Sequence, residues 1–271
     1  MSNDLPRPDI LALGEGAANR EEGAWPDRVL AGITRPELHR FAAAGAPRAR
    51  ALVLAGGGYT KLMYDKEGSE VALWLAAAGI EAHLLVHRLP GQPDGAGGAW
   101  PAEIALQDGL AALGHLAELP PLPLFILGLS SGGHLAGVLA CHAPEAAGAL
   151  IGYAPLNANH RDHKVPAGKP DYPPAQKQAF YDAWPVGLAA HPEAVPRIPL
   201  FLAYALGDRS VPVQHALRLV ETAAEAGLDV DAHVFGRAPH GFALRDRAGS
   251  HAVWSDLALG WMDRRLEAGA S

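Results

Sequence analysis

The chain has 271 residues, 49% of them hydrophobic and 19% charged, with a formal net charge of −7 and a single cysteine. That length suffices for one large α/β domain that needs no disulfide or metal staple, and the lone Cys141 excludes an internal disulfide framework. The acidic balance argues against non-specific attraction to nucleic acid or an anionic membrane, and no apolar run approaches the ~20 residues that span a bilayer.

The chain starts MSNDLPRPD, with acids and prolines where a signal peptide carries a basic region and an apolar run, so it is expected to be cytoplasmic. Residues 1–35 read as an N-terminal extension, and PELHRFA (36–42) as an antiparallel edge strand. From residue 50 onward short apolar runs alternate with amphipathic stretches. Strands are expected at 51–55, 80–86, 123–129, 148–154, 198–206 and 229–235, and helices at 67–79, 102–118, 132–142, 212–226 and 251–267. Val71, Leu75 and Ala78 mark the inner face of the first helix, and Leu217, Val220 and Ala224 that of the fourth. Strands apolar on both faces, separated by helices, predict a mostly parallel sheet covered on both sides, in one domain over 1–271.

Residues 155–199 break the alternation and hold 9 of the 23 prolines. Proline excludes long uninterrupted helices there, and the segment reads as an insertion over one end of the sheet, with a plain solvated loop as the alternative. Asn157, His160 and Trp184 within it are expected to contact substrate. His160, Asp162 and His163 crowd three potential metal ligands together, but no helix presents them on one face and no cysteine is near, so no metal is expected.

The strongest chemical signal is LFILGLSSGGHLAG (124–137), in which Gly128-Leu129-Ser130-Ser131-Gly132 forms G-x-S-x-G between an apolar strand and a helix. The turn is so sharp that side chains two residues either side of the serine would collide. That selects Ser130, flanked by Gly128 and Gly132, and rejects Ser131, which has Leu129 two residues before it. A Gly/Ser turn can also bind phosphate at a helix N-terminus, but no GK[ST] follows. A serine hydroxyl needs a base. Asp208, directly after the strand at 198–206, and His240, after the strand at 229–235, follow in the order Ser, Asp, His; Asp182 and Asp231 follow no strand end so directly. Leu54-Ala55-Gly56-Gly57-Gly58-Tyr59 closes the first parallel strand with three glycines, so the N–H groups of Gly57 and Gly58, with that of Ser131, are candidate oxyanion donors. Tyr59 is a further candidate for donor or substrate contact.

With these motifs in place, the chain resembles the α/β-hydrolase superfamily. More narrowly it looks like bacterial esterases related to acetylxylan esterases, a dienelactone-hydrolase-like group. The resemblance spans about residues 33–266 and rests on ITRPELHRF (33–41), AGGGYTKLMYDKEGSEVALWLAAAGIEAHLLVHRL (55–89), GLSSGGHLAG (128–137), LGDRSVPVQHALRL (206–219) and PHGFAL (239–244). It implies Ser130, Asp208 and His240 as a catalytic triad, no cofactor, and hydrolysis of small acyl esters, often acetyl groups on carbohydrate. Two positions depart from the family pattern, which has Pro at Ala55 and Ala at Ser131. A serine peptidase or a hydrolase of non-carbohydrate esters would use the same triad. A dienelactone-type enzyme would carry Cys at the elbow, and a non-catalytic relative would lack a triad member. The expected partner is a small-molecule ester, with homo-oligomerisation left open.

Overall fold

A computed structural model describes residues 7–157 and 171–269. Its centre is an eight-stranded sheet in the order β1-β4-β6-β5-β7-β8-β9-β10. The strands are β1 (Asp9–Ala12), β4 (Glu37–Phe41), β5 (Ala49–Leu54), β6 (Ile80–Val86), β7 (Leu124–Leu129), β8 (Gly148–Gly152), β9 (Leu200–Ala205) and β10 (Val230–Phe235). β1 and β4 pair antiparallel with each other, and β4 pairs antiparallel with β6. The six strands from β6 to β10 run parallel. β2 (Glu21–Glu22) and β3 (Val29–Leu30) form a separate small ribbon.

The helices are α1 (Glu70–Ala77), α2 (Ile104–Glu118), α3 (Ser131–Ala140), α4 (Ala175–Ala183), α5 (Gln214–Ala226) and α6 (Trp254–Gly269). β7 shows how they cover both faces. Phe125 meets Trp261 of α6, whereas a side chain on Gly128 would run into Ala136 of α3. Side chains three apart on a strand point to opposite faces, so α6 and α3 lie on opposite sides. The Trp74–Trp254 ring pair places α1 beside α6, and Gly109 lets α2 press against Leu139 of α3. Every residue of β5, β6, β8 and β9 is buried, which is why these strands read as largely apolar runs, the charged Arg50 and Glu81 and the polar His83 pairing near their amino ends.

Two expectations are corrected. The strand read from 36–42 is antiparallel, but β1 pairs along its outer side, so it is not the edge. On α5 the face read from Leu217, Val220 and Ala224 is not the inner one: Leu217 and Ala224 are exposed, and Val220 packs against the core half-buried. The buried residues are His215, Ala216, Leu219, Thr222 and Ala223. Ala216, Leu219 and Ala223 repeat the same i, i+3, i+7 spacing one position earlier, and contact with Gly187 fixes Leu219 inward. The stretch expected to be helical from 67 begins earlier, as a π-turn over Tyr64–Ser69 that buries Asp65 and Glu67 before α1 starts.

Candidate active site

β7 ends at Leu129 and α3 begins at Ser131, so Ser130 alone makes the turn, with φ 51° and ψ −125°. A Cβ on Gly128 would lie 2.1 Å from the Gly132 carbonyl oxygen, and one on Gly132 would lie 2.1 Å from that of Leu54. Both glycines are sterically required. The Ser130 N–H donates to Gly152 O at 2.9 Å, and its carbonyl accepts from Gly133 N–H at 2.9 Å, so strand and helix both hold the strained residue.

Ser130 Oγ lies 3.1 Å from His240 Nε2, and His240 Nδ1 lies 2.7 Å from Asp208 Oδ2. The other carboxylate oxygen of Asp208 accepts the N–H groups of Ser210 and Val211 at 2.8 and 2.9 Å. Burial works to raise the Asp208 pKa; the hydrogen bonds from His240, Val211 and Ser210 outweigh it and hold the carboxyl below its ordinary value. An ionised Asp208 can only accept, so His240 carries its proton on Nδ1 and leaves Nε2 to accept from Ser130. Three residues from three loops at the carboxyl ends of parallel strands thus form one hydrogen-bonded chain.

The glycine loop after β5 lies alongside. Gly57 has φ 138°, and a Cβ there would stand 2.0 Å from Lys61 O. The N–H of Gly58 donates to Ser131 Oγ at 2.8 Å, so a developing oxyanion competes for this donor with a side-chain hydroxyl. The N–H of Ser131, at the first helical position, has no intrahelical acceptor.

The model of the prolyl oligopeptidase family matches residues 106–268, more than half of the sequence and all three residues of this chain of hydrogen bonds. The chain belongs to the prolyl oligopeptidase family. Among solved structures, this family member is similar to an acetyl ester-xyloside bifunctional hydrolase from Caldicellulosiruptor lactoaceticus, at 20% identity over 97% of this chain and 98% of that one, TM-score 0.69. A sugar hydrolase from Lactococcus lactis matches at 19% identity over 93% and 99%, TM-score 0.68. The carboxylesterase Cest-2923 from Lactobacillus plantarum matches at 18% identity over 93% and 98%, TM-score 0.63. These likenesses show the α/β-hydrolase fold. No curated protein matches the chain.

A cleft of about 410 Å³ opens onto Ser130 and His240, lined also by Gly57, Gly58, Ser131, Glu67, Pro155, Tyr172, Tyr181, Val211 and three lysines. The described parts of 155–199 therefore help to form it. A larger cavity, about 650 Å³, lies by the amino ends of β5 and β6, where Arg40, Arg50 and His83 converge on Glu81, and no serine or cysteine lines it.

The expected substrate contacts fare differently. Tyr59 is buried behind the cleft, its ring against His87, His134, Phe180 and Tyr181 and its hydroxyl 3.0 Å from His134 Nδ1. Trp184 offers its carbonyl to His134 Nε2 at 2.8 Å and packs its ring on His142. Asn157 is buried against His215 of α5, 2.8 Å from its Nδ1. All three serve packing and not the cleft. His160, with Asp162 and His163, lies outside the described residues, among which no group of three or more His, Cys, Asp or Glu is placed to hold a metal ion. Among the described residues, no helix is long and apolar enough to cross a membrane. Burial pushes the Cys141 thiol up to about 12, and it donates to Gly137 O.

Sequence reasoning missed Glu67. Its carboxyl accepts Gly56 N–H at 3.1 Å and Tyr153 O–H at 3.2 Å, while Tyr153 packs its ring edge-on against His240. Burial raises the Glu67 pKa beyond what the charges of His240 and Lys66 and its hydrogen bonds return. No spacing rule flags it, because the π-turn turns it inward.

Proposed function

We propose that the chain is a serine hydrolase of carboxylic esters with small acyl groups, carbohydrate acetyl esters among them. The observation that carries this reading is the unbroken Ser130–His240–Asp208 hydrogen-bond chain at the mouth of the cleft. Ser130 Oγ passes its proton to His240 Nε2 and attacks the ester carbonyl carbon. Negative charge gathers on the carbonyl oxygen, for which the N–H groups of Gly57, Gly58 and Ser131 are the donors, that of Gly58 leaving Ser131 Oγ to do so, while Asp208 stabilises the imidazolium. His240 then returns the proton to the departing alkoxide, leaving an acyl group on Ser130. A water molecule, deprotonated by the same histidine, releases the acid and regenerates the serine. That two structural neighbours are an acetyl ester-xyloside hydrolase and a carboxylesterase supports an ester over an amide.

The family match favours a second reading, cleavage of peptide or aminoacyl bonds with the same residues. Assaying p-nitrophenyl acetate and acetylated xylo-oligosaccharides beside aminoacyl p-nitroanilides separates the two. The proposal expects acetate release that Ser130→Ala abolishes. Wild-type rates in that variant, or turnover of amides alone, overturn it. For the chain's architecture we propose one domain with 155–199 as its cleft-forming insertion.

A further inference from the structure

Positive charge is concentrated at the cleft in a chain whose net charge is −7. The sequence has five lysines and 17 arginines. Lys61, Lys66 and Lys177 line the cleft, and no arginine among the described residues does. Lys164 and Lys169 lie outside the described residues. Several arginines elsewhere are matched to acids: Arg28 to Asp65 at 2.8 Å, Arg40 to Glu81 at 2.7 Å, Arg88 to Asp108 at 2.5 Å. Lys61 and Lys66 are in no such ion pair among the described residues.

Among the described residues, the acids near them are already engaged. Glu67 is the one carboxyl lining the cleft among the described residues, and its oxygens accept from Gly56 and Tyr153. Asp208 accepts from His240, Ser210 and Val211. Asp246, whose field also reaches Lys66, accepts from Ala248 N–H and faces His251.

The ammonium groups also differ in place. Lys177 Nζ lies 3.9 Å from where a Cβ on Gly58 would stand, on the oxyanion side. Lys66 Nζ lies 3.4 Å from the corresponding point on Gly241, the residue after His240, with Glu67 Oε1, which accepts from Tyr153 O–H, 3.5 Å from the same point. Because His240 protonates the departing alkoxide, the alcohol half of an ester lies on the His240 side of Ser130.

Resting on the serine-hydrolase reading above, we propose that the cleft selects esters whose alcohol half carries a carboxylate, and that Lys66 binds that carboxylate. Lys61 adds to the attracting field without being placed against the same group, while Lys177 Nζ lies over the Tyr172 ring at 4.9 Å from its centre. A half-buried lysine is a compact charge on a flexible stem, suited to an anion whose position varies between substrates.

The test uses 3-acetoxybenzoate and 3-acetoxybenzamide, which each carry one acetyl ester on a meta-substituted phenol and differ in the anion. The wild-type protein is expected to favour the acid by about tenfold or more in kcat/KM at low ionic strength, the preference shrinking as salt is added. Lys66→Gln brings the ratio toward one. Arg218→Gln, which removes the same charge from an exposed position on α5, leaves it in place. Calorimetric titration with 3-hydroxybenzoate, the alcohol released, reads the same preference without turnover. Equal hydrolysis of both esters by the wild type, or an equal ratio in Lys66→Gln, overturns the carboxylate site and leaves the hydrolase reading standing. Lys66-dependent binding of 3-hydroxybenzoate with neither ester hydrolysed overturns the hydrolase reading and upholds the site.

Discussion

His134 is the residue through which acid should first weaken the active-site scaffold. It sits one turn into α3 behind Ser130, fully buried, with Nε2–H donated to Trp184 O and Nδ1 accepting from Tyr59 O–H. It therefore ties the elbow helix to the glycine loop and to the 155–199 segment. Burial lowers its pKa from 6.5 to about 4, with the Trp184 carbonyl opposing. Above pH 6.5 the ring is neutral in both folded and unfolded chains, and stability is fully present. As pH falls the unfolded chain takes up the proton first, so stability drops until the folded ring titrates near 4. At roughly 1.4 kcal/mol per pKa unit this amounts to about 3 kcal/mol, a large part of a typical folding free energy. Urea unfolding of the wild type and His134→Gln at intervals from pH 8 to pH 4 checks it. The variant should be less stable at pH 8, and the gap should narrow by about 3 kcal/mol on acidification. Comparing the two removes the parallel contributions of buried His83 and His87, whose pKa values burial also lowers. A gap that stays constant over this range refutes the reasoning.

Asp208→Asn removes the acceptor that fixes the His240 tautomer, and kcat for p-nitrophenyl acetate should fall by about 10⁴ with the fold retained by circular dichroism. Ser131→Ala keeps the backbone N–H and frees that of Gly58, so kcat/KM should stay within about threefold of wild type, whereas a hundredfold loss would place the Ser131 hydroxyl in the machinery. Gly132→Ala puts a Cβ at 2.1 Å from Leu54 O, a rigid backbone atom. It should lower thermal stability by more than about 2 kcal/mol and abolish activity, and an active variant of unchanged melting temperature would count against the steric account of the elbow.

The parts of this molecule that sequence reveals are those where one residue type is physically required. Gly128 and Gly132 are forced by backbone crowding, Ser130 and Asp208 each follow a strand too apolar to read as anything else, and His240 lies between the last strand and the C-terminal helix. β1 was not legible because all four of its residues are exposed and carry no alternating pattern. The inner face of α5 was not legible because two apolar stripes one residue apart satisfy the same period. Tyr59 and Trp184 looked like cleft residues from their neighbours in the chain, yet both meet His134, a contact that joins segments 50 or more residues apart. The cleft lysines and Glu67 escaped for the same reason, since no spacing links Lys66 to Lys177 or Glu67 to Tyr153.

The most direct measurement is intact-mass and peptide mapping of the protein after reaction with a fluorophosphonate, which phosphonylates only a serine activated by its neighbours. The account predicts one adduct per chain, on Ser130, with complete loss of esterase activity and no adduct in Ser130→Ala. Full ester hydrolysis without label on Ser130, or label at another serine that tracks the loss of activity, would contradict it.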